Sequence, residues 1–143
     1  MAGKLNILTR SFSVWLAIIA AETMNGAIRE VIITPVVGGS VAKSISFGTA
    51  ILLITAITFF CVRWISASNV AELISVGVFW ALLTLVFEIA ISRGVAGLSW
   101  NQVLADFNPF IGGLMSLGLI FLVFIPLISY RILATLGPGK LSS

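Results

Sequence analysis

The sequence predicts an all-α, polytopic membrane protein: a four-transmembrane-helix up-down bundle with a short interfacial helix in the third loop. Three observations carry this. Of 143 residues, 59% are hydrophobic and 9% charged, with mean hydropathy +1.19; soluble domains are about a quarter charged. Four apolar runs are long enough to cross about 30 Å of hydrocarbon, which takes about 20 residues. What remains is short connections, so residues 1–143 form a single transmembrane domain.

The spans are expected at residues 12–34, 45–65, 71–91 and 111–133, the first ending at Pro35. Helices are required because a backbone amide in lipid must find its partner within its own segment. Lys4 and Arg10 ahead of an apolar core have the look of a signal sequence. A cut after Ala21, however, would leave bulky Ile19 where a small residue is preferred, and the apolar run resumes after Asn25, so the first segment reads as a retained span. GGSVAKS (residues 38–44) and SASN (residues 66–69) are short connections that should place consecutive helices antiparallel and in contact.

The third loop has a pattern of its own. Ser99 and Gln102 have capping-box spacing, and Trp100, Val103, Leu104 and Phe107 follow at i, i+3, i+4 and i+7. Residues 99–107 therefore read as a two-turn amphipathic helix lying on the outer interface, ended by Asn108-Pro109. Lys4, Arg10, Arg63, Arg131 and Lys140 fall on one side of the bundle, against Arg29, Lys43 and Arg93 on the other. That asymmetry places both termini in the cytoplasm of a cell with the chain in its inner membrane, Trp15 and Trp64 near the inner interface, and Trp100 near the outer one.

Several functions are excluded by composition. There is no histidine and one cysteine, Cys61. A zinc site needs several such ligands, a disulfide needs two thiols, and an imidazole-based triad needs its base. No metal or cofactor is expected, and Cys61 reads as a small buried hydrophobe. The net charge of +3 is dispersed, so no basic patch offers a nucleic acid a footing.

The informative stretch is AAETMNGAIREVI, residues 20–32. At 100° per residue Glu22, Asn25, Gly26 and Arg29 project to one side, with Glu30 at its edge. Trp15, Leu16, Ile18, Ile19 and Ile28 are assigned to the remaining, lipid-facing surface. A charge at mid-bilayer costs roughly 2.5–3.5 kcal/mol, so the polar stripe should face the bundle interior. Counting from residue 12 at 1.5 Å per residue, Glu22 lies about 15 Å in and Arg29 about 26 Å. The same count from residue 71 puts Glu88 about 26 Å in, level with Arg29. An Arg29–Glu88 ion pair, direct or through water, is therefore expected between the first and third helices, extended by Arg93 and Asp106 and supported by Trp100. Gly77, Ala81, Thr84 and Glu88 line the third helix, with Trp80 at its flank. Gly112 and Ser116 form a small-xxx-small pair in the fourth, and Pro126 should kink that helix. Arg63 and Glu72 are placed to pair across the second loop.

A deep, incompletely paired Glu22 has the chemistry to bind a proton, a cation or a polar ligand. The candidate ligand or proton site is thus Glu22, Asn25, Arg29, Glu30, Thr84 and Glu88, with Arg93, Trp100 and Asp106 as outer support. The expected function is a membrane protein whose polar cavity opens outward to a small ligand or lipid headgroup. The alternative is a proton-coupled small-molecule transporter using Glu22, and a purely structural role for the polar groups stands beside both. An intramembrane enzyme has least support, since no nucleophile–base spacing is present. Expected partners are the bilayer, a small polar ligand or lipid, and a second copy of the chain.

AAETMNG resembles the first helix of the small multidrug transporters, which also place a lone glutamate there, but the similarity covers that helix alone. The combination AETMNGAIRE, FWALLTLVFE and SRGVAGLSW resembles, over most of the chain, a family of small uncharacterised bacterial four-helix membrane proteins. That resemblance implies the topology and a bacterial origin, and marks Glu22, Gly26, Arg29, Glu88, Arg93 and Trp100 as its polar positions. It implies no substrate.

Overall fold

The computed structural model describes residues 2–136 and is helical almost throughout. Its helices are α1 (Ala2–Ile28), α2 (Thr34–Val37), α3 (Gly39–Ile65), α4 (Val70–Ala90), α5 (Trp100–Ala105) and α6 (Met115–Leu136). Two π-helical turns, Arg29–Ile33 and Ile91–Val95, extend α1 and α4. Four continuous helical stretches are long and apolar enough to cross a membrane: Gly3–Val37, Gly39–Ile65, Val70–Val95 and Met115–Leu136. Lys140, which entered the charge count above, lies outside the described residues.

The number and type of spans follow the sequence reading; several boundaries do not. The first span does not stop at Pro35 but runs to Val37. In the π turn before it, Thr34 N–H bonds to Arg29 O, five residues back. The wider turn accommodates a proline ring that would otherwise press on the carbonyl four residues earlier. The expected first loop is nearly absent. Gly38, at φ 86°, makes the reversal, and residues 39–44 already belong to α3. α6 continues through Pro126 without interruption. Gly112 caps the 3-10 turn Pro109–Ile111 at φ 91°, outside α6, so it forms no helical pair with Ser116.

α1 packs against α3 and α4, and α6 packs against α4 and α3. Although consecutive, α3 and α4 sit at opposite corners of this ring, so the SASN turn spans the bundle instead of joining neighbours in contact. The start of α1, the turn at 66–69 and the end of α6 share one end of the bundle. Gly38 and the long connection 91–114 share the other, called here the loop end.

At the terminal end, Arg10 Nη1 donates to Trp64 O and Ser66 Oγ, both at 2.8 Å, and its guanidinium lies 5.3 Å from the Trp64 ring centre. Asn69 caps α4 by accepting from Glu72 N, and the Glu72 carboxylate accepts from Ser68 N. The core between comprises Val14, Trp15, Ile18, Leu73, Val76, Trp80, Leu122 and Ile125. α4 and α6 meet where Gly77 is buried against the Val123 backbone; a Cβ on Gly77 would run into the Val123 carbonyl. This contact needs a residue with no side chain.

Gly77→Ala should therefore destabilise the protein by about 1–3 kcal/mol, the usual cost of overpacking. Gly48→Ala, whose Cβ would meet nothing within 4 Å, should be neutral or mildly stabilising. Thermal unfolding of the two variants in detergent measures the difference.

Candidate functional site

The face of α1 that turns inward is longer than the polar stripe. Ser11, Val14, Trp15, Ile18, Ile19, Glu22, Asn25, Gly26 and Arg29 recur at intervals of three and four and form one continuous seam. Trp15, Ile18 and Ile19 are 7%, 1% and 8% exposed, so their assignment to the lipid face is corrected. Seven residues complete nearly two turns, which puts Trp15 directly beneath Glu22. Leu16 and Ile28 do face outward.

Two indoles fix α1 against α4. Trp80 Nε1 donates to Ser11 O at 2.8 Å, and Trp15 Nε1 donates to Thr84 Oγ1 at 3.0 Å. Both pairs are separated by 69 positions along the chain. The same offset sets Glu88 beside Ile19. Glu22 is then three residues, about 4.5 Å, toward the loop end, and Arg29 is about 15 Å toward it. Glu88 is thus nearly level with Glu22, whereas the sequence count had matched it to Arg29. The miscount arose because α1 begins at Ala2, ten residues before the expected start at Phe12.

Toward the loop end the seam opens into a cavity of about 590 Å³ lined from α1, α3, α4 and α6. Its volume comes from small residues. Gly26 and Gly39 have no atom within 4 Å of where a Cβ would stand, and that of Gly118 would meet only the Phe47 ring. Phe47, Ile51, Leu119 and Leu122 make an apolar wall on the α3/α6 side. Glu22, Asn25, Thr84 and Glu88 stand on the α1/α4 side.

All six predicted site residues line this cavity, together with Asp106. The expected Arg29–Glu88 ion pair is not formed. Arg29 Nε instead bonds Glu30 Oε1 at 2.9 Å, its adjacent residue, because Glu88 lies too far toward the terminal end. Arg29 and Asp106 still lie within electrostatic reach of Glu88. Arg93 does not join the cluster: it donates to Leu98 O at 2.9 Å and lies 4.8 Å over the Trp100 ring, away from the cavity. Trp100 is about half exposed and supports that loop only.

Asp106 takes part through a partner the sequence reading missed. Lys43 Nζ bonds Asp106 Oδ1 at 2.9 Å and ties α3 to the segment after α5. The small and polar residues 38–44 predict a loop, but 39–44 are the first turns of α3. Read as helix, Gly39, Lys43, Ser46, Phe47 and Ala50 share one face by the same three-and-four spacing. α5 is opened by the expected capping box: Gln102 N donates to Ser99 Oγ, and Ser99 N to Gln102 Oε1. Met115 N donates to Asp106 O at 3.0 Å. Gly113 tucks beneath the Ala105 and Asp106 carbonyls, where a Cβ would not fit.

The charges therefore divide by depth. The two ion pairs, all four side chains partly exposed, stand at the mouth. Deeper in, Asn25 Nδ2 donates to Ser46 O at 3.0 Å. Glu22 Oε1 is buried there without a hydrogen-bond partner among the described residues. Glu88 lies within electrostatic reach of it. No family model, curated protein or solved structure matches this chain.

Pairs this exposed contribute little because water screens them. A double-mutant cycle on Lys43 and Asp106 should give a coupling of about 0.5 kcal/mol that shrinks with added salt. The Arg29/Glu88 cycle should give a smaller coupling than the Arg29/Glu30 cycle. Unfolding in detergent at two ionic strengths measures all three.

Proposed function

We propose that this chain is a multi-pass protein of the bacterial inner membrane, both termini cytoplasmic, that binds a small amphipathic molecule in the cavity at its loop end. One observation carries the reading: a volume of about 590 Å³ with carboxylates on one wall and an apolar surface on the other. Ligand sites are typically concave, mostly apolar and furnished with a few convergent polar groups. A cluster serving only to bind helices together would close the space between them; here glycines on three helices keep it open. The positive charges favour an outward-facing mouth. In this orientation α5 lies along the outer interface, its half-exposed Trp100 and exposed Leu104 meeting the headgroups.

A second reading, proton-coupled transport through Glu22, is favoured by the buried, unpartnered Oε1 of that residue and by the second carboxylate near it. In both readings the cavity is reached from water.

Cysteine accessibility tests this. In a Cys61→Ala background, Gly26→Cys on the cavity wall should react with a membrane-impermeant thiosulfonate added from outside the cell. Leu52→Cys, on the outer face of α3, should remain unreactive. Equal inertness at the two positions would contradict a water-accessible cavity, and labelling only from inside would reverse the orientation.

A further inference from the structure

From the charge layout we infer that the occupant of this cavity is a protonated primary or secondary amine carried on an apolar body. The inference rests on reading the cavity as a ligand site and names the chemistry of what enters it.

The ionisable groups lining the cavity are four acids, Glu22, Glu30, Glu88 and Asp106, and two bases, Arg29 and Lys43. Both bases are already committed. Arg29 is bonded to Glu30 and Lys43 to Asp106, each at 2.9 Å. Glu22 and Glu88 belong to neither pair, so any negative charge on them has no bonded counter-ion in the deep half, where low polarity makes it most costly. An anionic occupant would add to that cost, and a neutral one would leave it unchanged. A cation removes it.

Hydrogen-bonding capacity narrows the class further. The Asn25 amide lies beside the Glu22 carboxyl, but Glu22 Oε1 is buried with no hydrogen-bond partner among the described residues, and an unmet buried acceptor is costly. An ammonium group brings N–H donors. One of these meets Glu22 Oε1 while another turns to Glu88, roughly one helical turn away. A quaternary ammonium compensates the charge but has no N–H and leaves the oxygen unmet. A metal ion is a poorer fit, since no group of three or more acid, thiol or imidazole ligands comes together among the described residues. The opposite wall, with Phe47, Ile51 and Leu119, takes the apolar body. No covalent step is involved. The amine enters protonated, sits between the α1 and α4 carboxylates, and leaves unchanged.

The test uses the full chain in lipid nanodiscs, with equilibrium dialysis against four probes that share one body: 4-phenylbutylamine, 4-phenylbutyltrimethylammonium, 4-phenylbutanol and 4-phenylbutyrate. Empty nanodiscs correct for partition into lipid. The expected result is saturable binding of the amine, at least tenfold tighter than any other probe and weakened at least tenfold by Glu22→Gln. Glu88→Gln should also weaken it, while Arg93→Gln, outside the cavity, should leave it unchanged. Circular dichroism and elution volume establish that each variant is folded. Should the alcohol, the carboxylate or the quaternary probe bind as well as the amine, the amine assignment is overturned while the cavity remains a ligand site. Should none of the four bind saturably to folded protein, the ligand-site reading fails with it.

Discussion

Two indole N–H groups hold this structure in register. Trp80 donates to a carbonyl of α1, and Trp15 donates back to a hydroxyl of α4. Each bond is buried and crosses the same pair of helices, so sliding α1 by even one turn would break both. Polar bonds between membrane helices are individually modest, averaging about 0.6 kcal/mol with a maximum near 1.7. Their effect here is geometric. A tryptophan on each helix reaching across to the other fixes position along the axis, which the non-directional contacts of Ile18, Leu73 and Val76 do not do. The alignment of Glu22 with Glu88 follows from that register.

The bundle has two halves of different character. Near the termini it is packed by large side chains around Trp15 and Trp80, and α4 closes on α6 through Gly77. Near the loop end the inward positions of α1, α3 and α6 carry Gly26, Gly39, Ala50 and Gly118, and the space they leave is not refilled. Within lipid, apolar side chains gain little from facing one another instead of acyl chains, so packing and hydrogen bonds decide where helices touch. The packed half anchors the walls, and the open half holds the six ionisable groups that line the cavity. The Lys43–Asp106 bond and the Met115–Asp106 backbone bond secure the connection after α5 beside the mouth.

Much of this was legible in the sequence, because hydropathy reports the solvent of a segment directly. The four spans, the capping box at Ser99 and Gln102, and the gathering of Glu22, Asn25, Arg29, Glu30, Thr84 and Glu88 were read from spacing alone. The failures share a cause: local signals treated as boundaries. Pro35 was read as a stop, yet a π turn carries the helix past it. GGSVAKS was read as a loop because small and polar residues resemble one, which hid Lys43 as a cavity residue and as the partner of Asp106. The late start assigned to the first span shifted every depth on α1, and so matched Glu88 to Arg29. Placing Trp15 on the lipid face was an error of helical phase, correctable from the sequence itself. That Trp80 would reach Ser11 was not readable, since it depends on which helices are neighbours.

The central claim is the level at which α1 and α4 face each other. The most direct measurement is cross-linking of cysteine pairs in the Cys61→Ala protein with a short bifunctional thiosulfonate. The account requires that Glu22→Cys with Glu88→Cys cross-links efficiently, and that Arg29→Cys with Glu88→Cys does not. The opposite pattern would place the third span nearly three turns, about 15 Å, away from where the indoles hold it, and the deep pair of acids would no longer face one another.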